Sequence, residues 1–326
     1  MTGACDAWRR APSSEVIALL QEEYARWHVD LGWDLARDWA AVEPARRSGL
    51  LPGWLARDRR GRARGWAFGV EQPDLRQIGA VVAGNDAVAD ELIGMAADAP
   101  GEVVAFVKAS ATVTTARWRS HGFAVQPYAY MVAATRTASS RNEDPAVENE
   151  CDLSPWSATD GHETAMLLSR AYREERGLRP FARHGTDAEW HDYVASLTLR
   201  PGCGVFSSGA SAAARRDGAL VGVALVTSIG RTTAHLAQLA IDPAMRGRGL
   251  SRALMHAIKG SADRVLGASR ISLLVSEANR AAMAVYAREG FRAAGTFIAA
   301  HRPAPASQPL RSISTAPATG GDSARL

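Results

Sequence analysis

Residues 239–254 (LAIDPAMRGRGLSRAL) combine the residue types that bind a diphosphate group. An apolar stretch ends at Asp242-Pro243, and Arg246–Gly249 (RGRG) then leads directly into a segment of helical periodicity. Glycine lets the backbone approach a ligand without a Cβ in the way, and the first amides of a helix have no partner inside it. With arginines beside it, this turn predicts a pyrophosphate cradle. The alternative interpretation is a structural corner only.

Two familiar phosphate loops are excluded by the surroundings of this turn. Three antiparallel strands are predicted before it and a third glycine is missing, so the pattern is not that of a dinucleotide-binding fold. No Gly-Lys-Ser/Thr follows, so the turn is not a P-loop.

Residues 246–251 (RGRGLS) resemble the Arg/Gln-x-x-Gly-x-Gly/Ala coenzyme A signature of the GNAT superfamily of N-acetyltransferases. Ser251 departs from the signature at its last position, where the small side chain is expected to preserve the turn. Residues 279–291 (NRAAMAVYAREGF) are similar to the second signature of the family, with its Asn, Ala, Tyr and Gly-Phe. The resemblance covers residues 151–301 and implies a catalytic acyltransferase domain there.

In this family the strand before the glycine turn separates from its neighbour, and its backbone groups bind the pantetheine arm. The resemblance therefore implies backbone contacts from the end of that strand, and a contact of Asn279 with the pantetheine or the nearby backbone. The implied co-substrate is acetyl-coenzyme A or another acyl-coenzyme A, and no metal is implied. The implied coenzyme site consists of Leu239, Ala240, Ile241, Arg246, Gly247, Arg248, Gly249, Leu250, Ser251, Arg252, Asn279 and Tyr286.

Tyr286 is the candidate general acid. The resemblance implies that its hydroxyl lies near the thioester sulfur and protonates the departing thiolate. General acid help of this kind is worth typically ~10²–10⁴-fold in rate. The alternative interpretation is a core aromatic residue on an amphipathic helix.

His235 is the candidate general base, and a water molecule is the other route. It precedes Arg246 on the predicted strand, where the family often has its base, and an imidazole titrates near neutrality. Strand alternation puts His235, Ala237 and Leu239 on one face and Gln238 on the other. The alternative interpretation is a histidine that is hydrogen-bonded inside the sheet or faces solvent.

Three further polar residues lie in the loop expected between the first two helices of the second unit: Glu174, Glu175 and His184. In the GNAT fold this loop covers the acceptor site, so each of them can bind an amine. Loops are also polar for solubility alone, which makes these residues secondary candidates.

Hydrophobic periodicity and turn residues predict a mixed α/β sheet for the second unit. Thr186 and Glu189 form a capping box that begins a helix, and Asp217-Gly218 supplies the positive φ of a tight hairpin. Helices are predicted at 157–173, 186–196, 249–265 and 280–288, and strands at 204–207, 212–216, 220–228, 232–241, 271–275 and 291–299.

The first unit has a similar order of elements, which indicates an internal duplication. Residues 120–131 echo the Gly-Phe signature, but residues 80–90 (AVVAGNDAVAD) offer Gly84 alone and no arginine where the glycine turn should stand. We interpret residues 1–135 as a degenerate GNAT-like domain that does not bind coenzyme A and shapes the acceptor pocket or an interface. Helices are predicted at 15–29, 87–97 and 112–120, and strands at 54–57, 64–70, 77–82, 103–108 and 123–132.

The 326 residues are enough for two compact units. The polar segment 136–150 predicts a linker, and residues 302–326, rich in Ala, Pro, Ser and Gly, predict a disordered tail. The predicted fold class is α/β (α+β). It consists of two tandem GNAT-like domains, each with a mixed, mostly antiparallel central sheet flanked by helices.

Composition narrows the partners and the compartment. The 38 Lys and Arg are balanced by 34 Asp and Glu without a basic block, which argues against nucleic acid. No apolar stretch reaches membrane-spanning length. Cys5, Cys151 and Cys203 are too widely spaced for a zinc site or a disulfide framework, and no secretory signal is visible, so a cytoplasmic protein is expected. Either a monomer or a homodimer is compatible with the sequence.

The expected function is transfer of an acyl group, acetyl first, from coenzyme A to a primary amine of a small molecule or peptide by direct attack in a ternary complex. One alternative keeps the fold but takes the acyl group from acyl carrier protein or aminoacyl-tRNA, or decarboxylates a malonyl thioester. Another is a non-catalytic protein that binds coenzyme A. The arginine-flanked turn favours a coenzyme A or phosphopantetheine donor over tRNA.

Overall fold

The computed structural model describes residues 7–136 and 150–304, apart from residues 176, 179, 201 and 202. The predicted linker lies outside the described residues except for its two end positions. The predicted tail lies outside them except for its first three residues.

The elements of the first unit agree with the predicted order, with one addition. A helix at Leu35–Ser48 has no counterpart among the predicted elements, and a π-helical turn at Trp27–Leu31 precedes it. The helices are α1 (Ser13–Arg26), α2 (Leu35–Ser48), α3 (Asp86–Ala97) and α4 (Thr115–Ser120), and the strands are β1 (Gly53–Arg57), β2 (Ala63–Gln72), β3 (Leu75–Ala83), β4 (Glu102–Lys108) and β5 (Ala124–Ala134).

The second unit also has the predicted order, with an added first strand. Its helices are α5 (Gly161–Tyr172), α6 (Asp187–Leu199), α7 (Leu250–Leu266) and α8 (Arg280–Arg288), and its strands are β6 (Asp152–Pro155), β7 (Val205–Phe206), β8 (Ala212–Arg216), β9 (Ala219–Ser228), β10 (Thr233–Ile241), β11 (Arg270–Ser276) and β12 (Arg292–Arg302).

Two local predictions are confirmed in atomic detail. The backbone N–H of Glu189 donates to Thr186 Oγ1 at 3.2 Å, and the N–H of Thr186 donates to Glu189 Oε2 at 3.2 Å, which is a complete capping box. Asp217 and Gly218 both have positive φ, at 51° and 81°, as a two-residue hairpin between β8 and β9 requires.

The strands form one continuous sheet in the order β1-β2-β3-β4-β12-β5-β11-β10-β9-β8-β6, and β7 also pairs with β9. The last strands of the two units are exchanged, because β12 pairs with β4 and β5 of the first unit while β5 pairs with β11 of the second. Each unit would have an unpaired sheet edge without the other, so the two units depend on each other for a closed core.

Each face of the sheet is covered by helices. On β9, Ala224 and Val226 face the cluster of α7, while Val223 and Leu225 face the cluster of α5 and α6. The helix α7 is anchored by the fully buried Leu254. In the first unit α3 covers the sheet in the equivalent way through buried leucine and isoleucine side chains. The predicted mixed α/β architecture is therefore confirmed.

Candidate active site

The strands β10 and β11 separate halfway along their length. Their parallel pairing covers only Thr233–Leu236 against Arg270–Leu273. Beyond that point β10 continues to Ile241, hydrogen-bonded to β9 alone, and β11 continues to Ser276. The facing edges of the two strands therefore enclose a cleft whose backbone groups are free to bind a ligand.

A β-bulge lies where the cleft begins, and it corrects one prediction. The register of β10 against β9 shifts by one residue between Leu236 and Gln238, which leaves Ala237 without a partner. A bulge reverses the alternation of side chains beyond it. Gln238 therefore lies on the same face as His235, and Leu239 on the opposite face, so the simple alternation predicted for this strand is wrong.

The glycine turn has the geometry of an anion cradle. Gly247 and Gly249 have φ of 78° and 81°, in the region that favours glycine. Gly249 caps α7 without any side-chain hydrogen bond. Among the described residues no hydrogen bond uses the backbone N–H groups of Gly247–Ser251. The positive end of the 17-residue helix α7 therefore presents free donors at an exposed turn.

The three arginines of the turn surround this site through weak surface contacts. Arg246 Nη2 donates to the carbonyl of Ala171 at 2.6 Å. Arg248 Nη1 lies 3.1 Å from Glu150 Oε2, and Arg252 Nε lies 3.5 Å from Glu289 Oε1. Exposed ion pairs of this kind are worth about 0–1 kcal/mol, so these guanidinium groups can exchange their partners for a phosphate at little cost.

Asn279 is the N-cap of α8 and Tyr286 lies in its last turn, and both line the cleft. Asn279 Oδ1 accepts the backbone N–H of Ala282 at 3.0 Å, so its side-chain oxygen caps the helix. The ring of Tyr286 packs on Phe291 with centroids 5.8 Å apart. Burial, together with the Glu175 carboxylate, raises the pKa of Tyr286 to about 12. The phenol therefore keeps its proton at neutral pH, as a general acid requires.

His235 is buried at the inner end of the cleft, with 2% of its surface exposed. Its Nδ1 lies 2.9 Å from Ser272 Oγ, and its ring stacks on Tyr130 with centroids 6.2 Å apart. Trp33 of the first unit contacts the ring as well, at 6.0 Å. Burial lowers the pKa of His235 to about 4. The imidazole is therefore neutral at pH 7, which suits a proton acceptor but makes it a weak one.

The buried imidazole predicts a specific loss of stability in acid. Its folded pKa of about 4 lies below its unfolded value of 6.5, so the unfolded chain binds the proton first and the free energy of unfolding falls as the pH drops from about 6.5 to about 4. When the pH is lowered from 7.5 to 4.5, we expect the free energy of unfolding of His235→Gln to fall by roughly 2–3 kcal/mol less than that of wild type. Urea unfolding of both proteins at the two pH values measures this difference, and equal losses would contradict the prediction. The carboxylates of the chain titrate in both proteins and cancel in the comparison.

Polar side chains that the sequence prediction did not include form a network above the bulge. Tyr172 Oη donates to Gln238 Oε1 at 2.9 Å, and Gln238 Nε2 donates to Tyr193 Oη at 3.1 Å. Burial raises the pKa of both tyrosines. The network depends on the bulge that turns Gln238 inward, and no sequence signal marks that bulge.

The loop between α5 and α6 lies against the first unit. Tyr128 Oη of β5 donates to the carbonyl of Leu178 at 2.8 Å, and the N–H of Leu178 donates to Gln126 Oε1 at 2.8 Å. Arg183 pairs with Glu102 of β4. The first unit therefore holds the loop that the sequence assigns to the acceptor side.

The loop candidates are brought to different places. Glu174 and Glu175 line the same cavity as Tyr286. The side chain of His184 is exposed and its Nδ1 lies 2.8 Å from Glu189 Oε1, next to the capping box. Its partner is thus a neighbour in the chain, and the cavity lining does not include it.

One cavity of about 2190 Å³ connects the glycine turn, the cleft and the hydrogen-bonded side chains above the bulge. It extends from the glycine turn through the cleft between β10 and β11 to residues of the first unit such as Trp27 and Phe106. Trp33 and Trp39 line it too, whereas Trp54 is core, buried to 4% exposure. Ligand sites usually measure about 300–1,000 Å³, so this cavity has room for two ligands.

The equivalent turn of the first unit is built differently. The strands β3 and β4 also pair only over Leu75–Ile78 and Glu102–Ala105 before they separate. However, the connection from β3 to α3 is only two residues, and Asn85 Oδ1 accepts the N–H of Val88 at 3.0 Å as a helix cap. Asp86 follows in the first turn. A capped helix start with a carboxylate beside it does not favour an anion.

Neither a metal-binding cluster nor a membrane-spanning helix is found among the described residues. No group of three or more His, Cys, Asp or Glu side chains in these residues is arranged to hold a metal ion. Within the same part of the chain, no helix has the length and apolar character needed to cross a membrane.

Comparison with known proteins agrees with this geometry. Residues 162–291 match the profile of the Acetyltransferase (GNAT) family. Uncharacterized N-acetyltransferases of Mycobacterium tuberculosis (strain H37Rv) and Mycobacterium bovis are 36% identical over 83 residues, which is 26% of this chain and 53% of the relative. The chain thus spans about half the length of the curated relatives it matches.

Solved structures share the fold at low sequence identity. A GCN5-related N-acetyltransferase from Sphaerobacter thermophilus superposes with a TM-score of 0.61 at 16% identity, over 90% of this chain and 93% of that one. A tandem GNAT protein from the clavulanic acid biosynthesis pathway has a TM-score of 0.55 at 18% identity, over 79% of this chain and 84% of that one.

The chain shares its fold with a solved tandem GNAT protein. Residues 162–291 thus resemble the GNAT acetyltransferases, and this match supports acyl-coenzyme A-dependent N-acyl transfer in general terms.

Proposed function

We propose that the second unit transfers an acyl group, acetyl first, from coenzyme A to a primary amine by direct attack in a ternary complex. The proposal rests on one observation. The turn at Gly247–Ser251, with its unused amides, opens directly into the cleft between β10 and β11, and Tyr286 lines that cleft. An acyl-coenzyme A has a diphosphate, an extended pantetheine arm and a reacting thioester in the same order as the turn, the cleft and Tyr286.

The residues present fit coenzyme A at each part of the cleft. The amides of Gly247–Ser251 and the guanidinium groups of Arg246, Arg248 and Arg252 would hold the pyrophosphate. Backbone groups of Leu239–Ile241 that point away from β9 would bind the pantetheine. A Cβ at position 247 would meet no heavy atom of the protein within 4 Å and would extend into open space. Glycine at this position therefore leaves that space to the pyrophosphate.

The bound thioester supplies an activated acyl carbon, and the side chains manage the protons. Backbone N–H groups on the open edge of β10 polarise the acyl carbonyl. His235 or a water accepts the proton that the amine loses as its nitrogen forms the new bond to carbon. Tyr286, which is protonated at neutral pH, donates its proton to the sulfur as the carbon–sulfur bond breaks.

The acceptor side has the charge that an amine needs. Glu174 and Asp192 are exposed on the rim of the cavity, and Glu175 is close enough to Tyr286 to raise its pKa. An ammonium is attracted to such a rim before it is deprotonated. We propose that the first unit does not bind coenzyme A and instead holds the acceptor loop through Gln126 and Tyr128.

Calorimetric and thermal-shift titration with acetyl-coenzyme A, malonyl-coenzyme A and free coenzyme A tests the proposed function. We expect one site per chain and a stabilisation of about 2.7 kcal/mol at ~100 times the dissociation constant. Acetyl transfer to an amine panel then separates an enzyme from a binding protein. Two sites would contradict the role given to the first unit. The absence of binding by all three ligands would favour a carrier-protein or tRNA donor, or a protein that is no longer an enzyme.

A further inference from the structure

The part of the cavity beyond Tyr286 is walled by aromatic rings from both units. Phe106 of β4 lies 5.8 Å from Phe181 of the acceptor loop and 5.7 Å from Phe297 of β12, between ring centroids. Phe181 continues to Tyr193 of α6 at 5.2 Å, and Phe297 continues to Trp27 at 5.5 Å. These five rings, here called the aromatic wall, all line the cavity.

The wall has ring surface that the protein itself does not cover. Phe181 is 40% exposed, although it stands between two other rings and its loop is tied down on both sides. An apolar ring of that size left open in a concave site marks a binding surface. Trp27, Phe106 and Tyr193 are each partly exposed as well.

The charges around the wall are arranged at its rim and not on its surface. Lys108 Nζ lies 3.2 Å from Glu23 Oε1 and 5.7 Å from the Trp27 ring, so its charge is already neutralised. Arg183 is paired with Glu102.

The rim itself has an acidic excess. It has the carboxylates of Glu174, Glu175 and Asp192 against the guanidinium groups of Arg200 and Arg246, all of them in the cavity lining. Glu175 is the carboxylate that acts on the pKa of Tyr286. The site therefore favours a ligand that has a positive charge beside the reacting groups and an uncharged planar ring system along the aromatic wall.

We infer that the acceptor is a primary amine with an extended aromatic body, held with its ring system against the aromatic wall and its amino group at the acidic rim beside Tyr286. This inference rests on the proposed acyl transfer and names the substrate class of the same site. Each aromatic pair adds about two- to tenfold in affinity beyond the effect of the area it buries. A fused ring system that contacts two rings of the wall should therefore gain at least about fivefold in kcat/KM over an alkyl amine.

The experiment compares primary amines that carry aromatic, alkyl, polyamine and sugar groups. Tryptamine, phenethylamine, n-hexylamine, spermidine and kanamycin are assayed for acetyl transfer, and the affinity for acetyl-coenzyme A is measured separately by calorimetry. We expect kcat/KM to fall in the order tryptamine, phenethylamine, hexylamine, with spermidine and kanamycin below them. Equilibrium binding of tryptamine to the protein with coenzyme A is measured in parallel.

Variants of the wall provide the second readout. Phe181→Ala and the aliphatic Phe181→Leu should raise KM for tryptamine at least about twofold and leave the KM values for hexylamine and acetyl-coenzyme A nearly unchanged. Phe106→Leu should do the same from the first unit. Leu50→Ala is the matched control, because Leu50 is 80% exposed and lies outside the cavity lining.

The outcomes separate this inference from the function on which it depends. One outcome is that the protein binds acetyl-coenzyme A and yet shows equal kcat/KM for tryptamine and hexylamine, or a higher value for spermidine or kanamycin. Either result overturns the aromatic acceptor and leaves the proposed acyl transfer intact. The aromatic acceptor is also overturned if the protein binds acetyl-coenzyme A but neither binds nor acetylates tryptamine. Failure to bind acetyl-coenzyme A at all overturns the proposed function itself.

Discussion

Replacing Gly247 by glutamate is expected to abolish coenzyme A binding and the ligand stabilisation of about 2.7 kcal/mol that accompanies it at ~100 times the dissociation constant. The new carboxylate would lie beside the unused amides of Gly247–Ser251, where the pyrophosphate is proposed to bind. A negative group at a helix N-terminus satisfies those donors and repels the ligand. Thermal shift and calorimetry with acetyl-coenzyme A measure the loss.

Gly61→Glu is the matched control for this variant. Gly61 has φ of 77°, against 78° for Gly247, and a Cβ at either position meets no atom within 4 Å. Both substitutions therefore have the same backbone strain, about 1–2 kcal/mol, and the same charge. Only Gly247→Glu should lose the coenzyme. Undiminished binding by that variant would show that the turn is a structural corner.

The local geometry of the glycine turn and of α8 could be predicted from the sequence because it depends on neighbouring residues. The positive φ of Gly247 and Gly249, the start of α7 and the position of Tyr286 on α8 all depend on residues within one or two helical turns. The same holds for the capping box at Thr186. Short-range steric and hydrogen-bonding preferences fix such features before any tertiary contact forms.

The wall of the cleft could not be predicted in this way. The alternation rule fails at Ala237, because a bulge is decided by how β10 fits against β9. That fit turns Gln238 toward Tyr172 and Tyr193. The hydrogen bonds that stabilise the bulge come from helices 45 or more residues earlier in the chain. A strand pattern gives a period of two but does not tell where the period slips.

The exchange of the last strands is also invisible in the sequence. Both β5 and β12 are apolar strands that follow a short helix and a Gly-Phe pair, so each could pair with the β4 or β11 edge equally well by composition. The choice depends on long-range contacts. It has a consequence for the site, because β12 brings Phe297 and β4 brings Phe106 to one wall. The first unit thereby lines the cavity that is proposed to bind the acceptor.

Removing the hydroxyl of Tyr286 should separate catalysis from binding. Tyr286→Phe keeps the ring that packs on Phe291 at 5.8 Å, so the fold and the cleft are retained. The variant lacks the proton that a pKa of about 12 keeps in place at neutral pH. We expect kcat to fall by about 10²–10⁴-fold while the dissociation constant of acetyl-coenzyme A changes less than about twofold, as steady-state kinetics and calorimetry measure it.

The pH profile of the same variant identifies what limits the wild-type enzyme. Because the pKa of Tyr286 is about 12 and that of His235 about 4, neither group titrates between pH 6 and 9. The rise of kcat/KM with pH should therefore follow the deprotonation of the acceptor's ammonium group in both proteins.

A loss of less than about threefold in the kcat of Tyr286→Phe would exclude Tyr286 as the acid and assign the proton transfer to a water in the cleft. A loss of coenzyme affinity instead would make the tyrosine a packing residue of α8.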